Sequence, residues 1–128
     1  LVVPRLDMNL PINEGSNNLT LEKGTWRRPK TSTPDKGGNT VIVGHRFTYS
    51  AAGIFYHLDK IRVDDPIVIY WQGKEYDYKV ISSTIVPATQ LSVEDDSKDA
   101  RLTLYTCAPL WSFKDRLVVV AKPWQEKL

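Results

Sequence analysis

The chain alternates between short apolar runs and polar, turn-forming stretches. Val2-Val3-Pro4-Arg5-Leu6 reads as a first strand, with a proline that suits a sheet edge or a strand start. Asn9 to Asn13 continues into a second. Val41-Ile42-Val43 is a compact apolar run after the turn signal Gly37-Gly38-Asn39. Pro66 to Trp71 and Glu75 to Val80 flank Gln72-Gly73-Lys74 and predict a hairpin. Its second arm alternates aromatic with charged side chains, as a half-buried strand does, and Ile81 to Val86 extends it. Leu102 to Cys107 and Arg116 to Ala121 predict another hairpin with a longer loop.

Helical periodicity is thin. Gly53 to Leu58 predicts one or two turns, and Val86 to Leu91 a single turn at most. Trp26 to Gly38 is dense in Pro, Thr, Ser, Gly and Lys and reads as an irregular loop. Ser92 to Ala100, with Glu94, Asp95, Asp96 and Asp99, reads as a polar, solvated loop. Many short strands with few helices predict a mainly β fold, a closed or nearly closed antiparallel barrel, as one domain over residues 1–128.

Composition narrows the function classes. The 128 residues are 41% hydrophobic and 25% charged, ordinary for a globular domain. The net charge of +2 has both signs interspersed, so nothing draws the chain to nucleic acid or anionic lipid. A single cysteine excludes an internal disulfide and any multi-cysteine metal site. There is no signal peptide and no apolar run long enough to span a membrane. The chain starts at Leu1 without a methionine, so a membrane anchor is expected only outside these residues.

The lone Cys107 closes a predicted strand before Ala108-Pro109. By strand alternation it shares a face with Thr103 and Tyr105, opposite Leu102 and Leu104. It is either a small apolar plug, the commoner fate of a free cysteine, or a nucleophile at a strand end. A nucleophilic cysteine needs a base or a cation, because the thiolate is the attacking species. His45 follows Val41-Ile42-Val43-Gly44 and so ends a strand too, as a partner for Cys107 or as a hydrogen-bonded turn residue. His57, between Tyr56 and Leu58, reads as a surface or packing residue. Arg116 opens the return strand of the Cys107 hairpin, so the two sit at one end of the sheet. There it would stabilise an oxyanion, or simply pair with Asp115 or Asp99. A Cys, a His and an Arg at strand ends make a constellation for covalent acyl transfer.

These segments resemble the sortases, cysteine transpeptidases of bacterial cell surfaces. Thr103-Leu104-Tyr105-Thr106-Cys107 is similar to the family's TLxTC motif, Gly44-His45-Arg46 to its histidine motif, and Arg116 to its arginine. Phe55, Leu58, Asp65 and Tyr76-Asp77-Tyr78-Lys79-Val80 follow the family's order. The resemblance implies an eight-stranded β-barrel with one or two short helices. It implies His45, Cys107 and Arg116 as catalytic residues, Thr106, Ala108 and Trp111 as substrate contacts, and neither metal nor cofactor. The implied substrates are surface or pilin proteins with an LPxTG-like sorting signal, cleaved between Thr and Gly. The acyl-enzyme would pass to an amine, from a peptidoglycan precursor or a pilin lysine, on the outer face of a bacterial membrane. The short loop between Cys107 and Arg116 suits classes C, D and E better than class A. Asp64 stands where the family has glycine, and Pro66 follows Asp65. The L,D-transpeptidases fit poorly, because Thr106-Cys107-Ala108 lacks their glycine and nearby arginine. An inactive sortase-like barrel that only binds is the other alternative.

Overall fold

The hairpin around Gln72-Gly73 is the spine of the fold. Gln72 and Gly73 both take positive φ, 49° and 81°, the tight turn whose twist matches its strands. The computed structural model describes residues 1–46, 54–108 and 114–124, with positions 107 and 108 described by their backbone alone. Its strands are β1 (Val2–Val3), β2 (Met8–Asn9), β3 (Ile12–Asn13), β4 (Thr25–Arg27), β5 (Asn39–Val43), β6 (Pro66–Trp71), β7 (Lys74–Pro87), β8 (Arg101–Ala108) and β9 (Asp115–Pro123). They form one nine-stranded sheet in the order β2-β1-β6-β7-β9-β8-β5-β4-β3. The first and last strands of that order are joined by Leu10-Pro11 alone. A two-residue link between opposite ends makes the sheet curl into a barrel-like form, with the expected antiparallel pairing except at β3–β4 and β5–β8, which are parallel. The Leu1 ammonium donates to Leu10 O at 2.8 Å and Leu10 N–H to Leu1 O at 2.9 Å, fastening the join.

The inner face carries the core. Val3, Ile42, Ile67, Ile69, Val80, Leu102, Leu104 and Val119 are fully buried, and Phe55 and Leu58 pack onto them from the segment after β5. At 14 residues β7 is long enough to bend round the barrel. It does so at a register shift between Val80 and Ser82, a bulge that turns Ile81 outward to 45% exposure.

The barrel has nine strands where eight were expected, because the N-terminal segment breaks into three two-residue strands. Pro4 begins a 3-10 turn (Pro4–Leu6) that ends β1. The Pro- and Thr-rich stretch expected to be all loop begins with β4, held by pairing of Trp26 with Val43 and of Arg27 with Ile42. Among the described residues the helices are all short 3-10 turns, including Asn18–Lys23, Leu58–Lys60 and Leu91–Glu94. The predicted turn at Gly53 to Leu58 is seen from Ile54 onward, Gly53 lying outside the described residues.

The Asp64-Asp65-Pro66 step shows how the chain absorbs an unusual sequence. Asp64 takes φ 77°, a region that favours glycine, while its N–H donates to Val80 O at 2.8 Å. Pro66 costs no ladder bond because it opens β6. Buried Asp65 accepts Arg5 Nε at 2.5 Å and Arg62 N–H at 2.7 Å. Burial alone would raise the Asp65 carboxyl; the hydrogen bonds and charges of Arg5 and Arg62 outweigh it and hold the group below its ordinary value.

Two consequences are measurable. Asp64→Gly relieves the strained φ at some cost in unfolded-chain entropy and is expected to stabilise by about 0.5–1 kcal/mol in urea unfolding. A loss of stability would contradict this. The contribution of Asp65, with its lowered folded value, is present above the unfolded carboxylate value of about 3.9 and is lost as pH falls through the folded value. Melting temperatures of Asp65→Asn should therefore fall less steeply than wild type between pH 5 and 3, and parallel curves would count against the assignment.

Candidate active site

Strand pairing brings the three predicted catalytic positions to one rim. β5 runs parallel to β8, with Val41 beside Thr103 and Val43 beside Tyr105. Gly44 N–H donates to Tyr105 O at 3.3 Å; the parallel ladder ends at Val43, two residues before His45, and β8 runs on past Tyr105 to Cys107. On the other side of β8, Cys107 pairs directly with Arg116 of antiparallel β9. Positions 107 and 116 thus face each other across one strand pair, about 4.5–5.5 Å between Cα atoms, and His45 follows the strand on the other side of β8.

Local chemistry fixes this rim. Buried Thr106 donates its hydroxyl to Gly44 O at 2.7 Å, tying the residue before Cys107 to the residue before His45. A Cβ at Gly44 would stand 2.9 Å from the Phe55 ring, so glycine is what lets the backbone lie against that ring. Phe55 N–H in turn donates to His45 O at 2.9 Å. Buried Arg46 donates from Nε to Tyr56 O at 2.8 Å and meets Asp59 at 3.3 Å. His45 is therefore flanked by a close-packed glycine and an anchored arginine, while its own ring stays half-exposed. Its Nε2 lies 3.8 Å from Glu22 Oε1.

Arg116 is half-buried and donates from Nη1 to the Asp115 carbonyl at 3.1 Å, with further contacts around it. Its charge also reaches Tyr105. Thr106, expected as a substrate contact, is buried and has a structural bond of its own to Gly44 O. Ala108 pairs with Asp115 through the backbone. Trp111 lies outside the described residues. His57 is exposed, edge-on to Tyr56 at 4.8 Å, as a surface residue should be.

The stretch from Ser92 to Ala100 is largely exposed, as its composition suggests, but specific bonds hold it to the sheet. Glu94 accepts Arg28 Nε on both oxygens at 3.0 Å and the Tyr105 hydroxyl at 2.6 Å. Arg28 also lies 4.3 Å over the Trp26 ring. Burial, then the hydrogen bond and charge of Glu94, push the Tyr105 phenol above its ordinary value, so it stays a neutral donor. Buried Asn39 donates its side-chain amide to Val93 O at 3.2 Å and Asp95 O at 2.8 Å, and accepts Thr103 Oγ1 at 2.7 Å. Asp96 accepts the Asn39 N–H at 3.0 Å. The acidic residues thus brace the stretch beside β8, and no cluster of possible metal ligands occurs among the described residues. Sequence reading missed Glu22, Arg28 and Glu94 because their partners are remote in the chain.

A mainly β barrel with histidine, cysteine and arginine positions on one rim defines a class, and the chain belongs to it: it is a member of the sortase family, whose Sortase domain matches residues 1–124. Sortases are cysteine transpeptidases. Among individual proteins, the chain is 34% identical to Sortase SrtE1 of Streptomyces coelicolor over 145 residues, covering 99% of this chain and 40% of that protein. It is 30% identical to Sortase A of Listeria monocytogenes over 122 residues, covering 95% of this chain and 54% of that one. The chain therefore spans about half the length, or less, of these curated relatives. Its fold is similar to sortase C1 of GBS pilus island 1, with TM-score 0.87 and 28% identity over 98% of this chain and 63% of that one. It is also similar to sortase E1 of Streptomyces coelicolor, solved with a tripeptide in its active site, with TM-score 0.84 and 29% identity over 97% of this chain and 85% of that one.

Thr106→Val keeps the shape of the side chain and deletes the bond to Gly44. It should cost about 1–3 kcal/mol in chemical denaturation, as expected when a buried acceptor loses its donor. An unchanged midpoint would show that this bond does not hold the rim.

Proposed function

We propose that this domain is a sortase transpeptidase whose reaction runs through Cys107, His45 and Arg116. The observation that carries the reading is the pairing of Cys107 with Arg116, supported by the position of His45 two residues past the end of β5, the strand on the other side of β8. In this reading the Cys107 thiolate attacks the Thr carbonyl carbon of an LPxTG-like signal. A C–S bond forms and the carbonyl electrons move to oxygen, where Arg116 stabilises the charge. The tetrahedral intermediate collapses, the Thr–Gly C–N bond breaks, and the departing amine takes a proton from His45. The thioester acyl-enzyme is then attacked by an incoming amine, which gives its proton to His45 and restores the thiolate.

The preference of the reading for an amine over water, and for one sorting signal over another, rests with the loops around the rim. The acceptor is a peptidoglycan-type or pilin-type amine, and the site of action is the outer face of a bacterial membrane. Support comes from the family and from relatives named for classes A, D and E and, among solved structures, class C.

Cys107→Ala, His45→Ala and Arg116→Ala should each reduce cleavage of an LPxTG-type peptide by at least about a hundredfold, with melting behaviour retained. Mass spectrometry of peptide mixtures with and without an added amine reads both hydrolysis and transfer. Full cleavage by Cys107→Ala would end the proposal, and no cleavage by the wild-type domain across a panel of signals would favour a binding module.

A further inference from the structure

Among the described residues, a carboxylate beside the candidate general acid comes from a segment with no part in the assigned chemistry. Glu22 Oε1 lies 3.8 Å from His45 Nε2, with the Glu22 side chain 74% exposed. An exposed glutamate is usually free to wander, but the backbone that presents this one is built in. Asn17 caps the 3-10 turn Asn18–Lys23 by accepting the Leu19 N–H at 3.0 Å, and Gly24 N–H closes it onto Leu21 O at 3.2 Å. Buried Thr20 fits against Gly15 so closely that any side chain there would collide with it. Asn13 holds the exit of the turn by donating to Thr25 O at 2.9 Å.

The same support positions the histidine. Gly24, at φ 132°, packs on Ile54, where a Cβ would stand 2.8 Å from Cδ1. The next residue, Phe55, packs on Gly44 and donates to His45 O at 2.9 Å. Ile54 and Phe55 thus fix the turn that carries Glu22 and the segment that carries His45. The other charges nearby have different orientations. Arg46 is directed to Tyr56 and Asp59, Lys23 adjoins Glu22 along the turn, and Arg116 stands beyond β8.

We propose that Glu22 is a positioning residue for His45, whose carboxylate beside Nε2 orients the imidazole at the rim. The proposal rests on the transpeptidase reading for its catalytic consequence. In that reading His45 hands a proton to the departing amine, and a carboxylate held beside one ring nitrogen restricts which way the ring faces. Because the pair is exposed, its effect is modest and screened by salt.

The test compares wild type with Glu22→Gln, which keeps size and removes charge. At low ionic strength kcat/KM for an LPxTG-type peptide should fall about two- to fivefold, the range of an exposed ion pair. The gap should close near 1 M salt, where wild type loses the same advantage. The melting temperature should not move. At fixed neutral pH, the ring NMR signals of His45 should shift or broaden in Glu22→Gln as the ring loses its anchor, with His57 as the unchanged internal control. Equal kcat/KM at low salt, a deficit that persists at high salt, or a defect confined to the KM of the acceptor amine would each overturn the proposal. If the wild-type domain cleaves no sorting peptide, the transpeptidase reading fails. The His45 signals then still decide whether Glu22 holds the ring, and unchanged signals overturn the pairing.

Discussion

The parallel pairing of β5 with β8 is the constraint on which the rim depends. These strands are remote in sequence, and a slip of one residue would turn every side chain of β5 to the opposite face. Two side-chain bonds pin the register near its ends. The Thr103 hydroxyl meets the Asn39 amide oxygen at the start, and the Thr106 hydroxyl meets Gly44 O at the finish. Between them the buried Ile42, Leu102 and Leu104 commit the inner faces to the core. The antiparallel pairing of β8 with β9 then sets Arg116 opposite Cys107 with no bulge between residues 102 and 108.

This construction separates precision from adaptability. The chemistry-bearing positions sit on or just beyond paired strands, where backbone hydrogen bonds hold them. The stretch beside them from residue 88 to 100 is irregular but braced by Glu94, Asp95 and Asp96 through Arg28, Tyr105 and Asn39. The charges have a polarity of their own, with a cation on the β9 side of Cys107 and an anion beside His45 on the β5 side. That order suits a reaction in which negative charge develops on a carbonyl oxygen and a proton leaves an imidazolium.

Much of this was legible in the sequence where local pattern and geometry coincide. The alternation from Glu75 to Val80 marked β7, Gln72-Gly73 marked its turn, and hairpin logic alone placed Arg116 beside Cys107. Strands of two residues carry no readable period, so β1 to β3 were seen as two longer segments. β4 was hidden because Trp26 and Arg27 owe their extended form to pairing with β5 rather than to neighbours in sequence. The acidic stretch is exposed as read, but its bracing was not legible because Glu94 finds Arg28 across 66 positions. Glu22 was invisible for the same reason, since only the packing of Gly24 on Ile54 brings it to His45.

The central claim is that Cys107 forms a covalent acyl intermediate at this rim. Intact-mass spectrometry of the domain mixed with an LPxTG-type peptide, without an acceptor amine, tests it most directly. The account predicts an adduct equal to the peptide up to its Thr, located on Cys107 by digestion and released by hydroxylamine. Turnover of the peptide with no adduct on Cys107, or the same adduct on a Cys107→Ala chain, would contradict it.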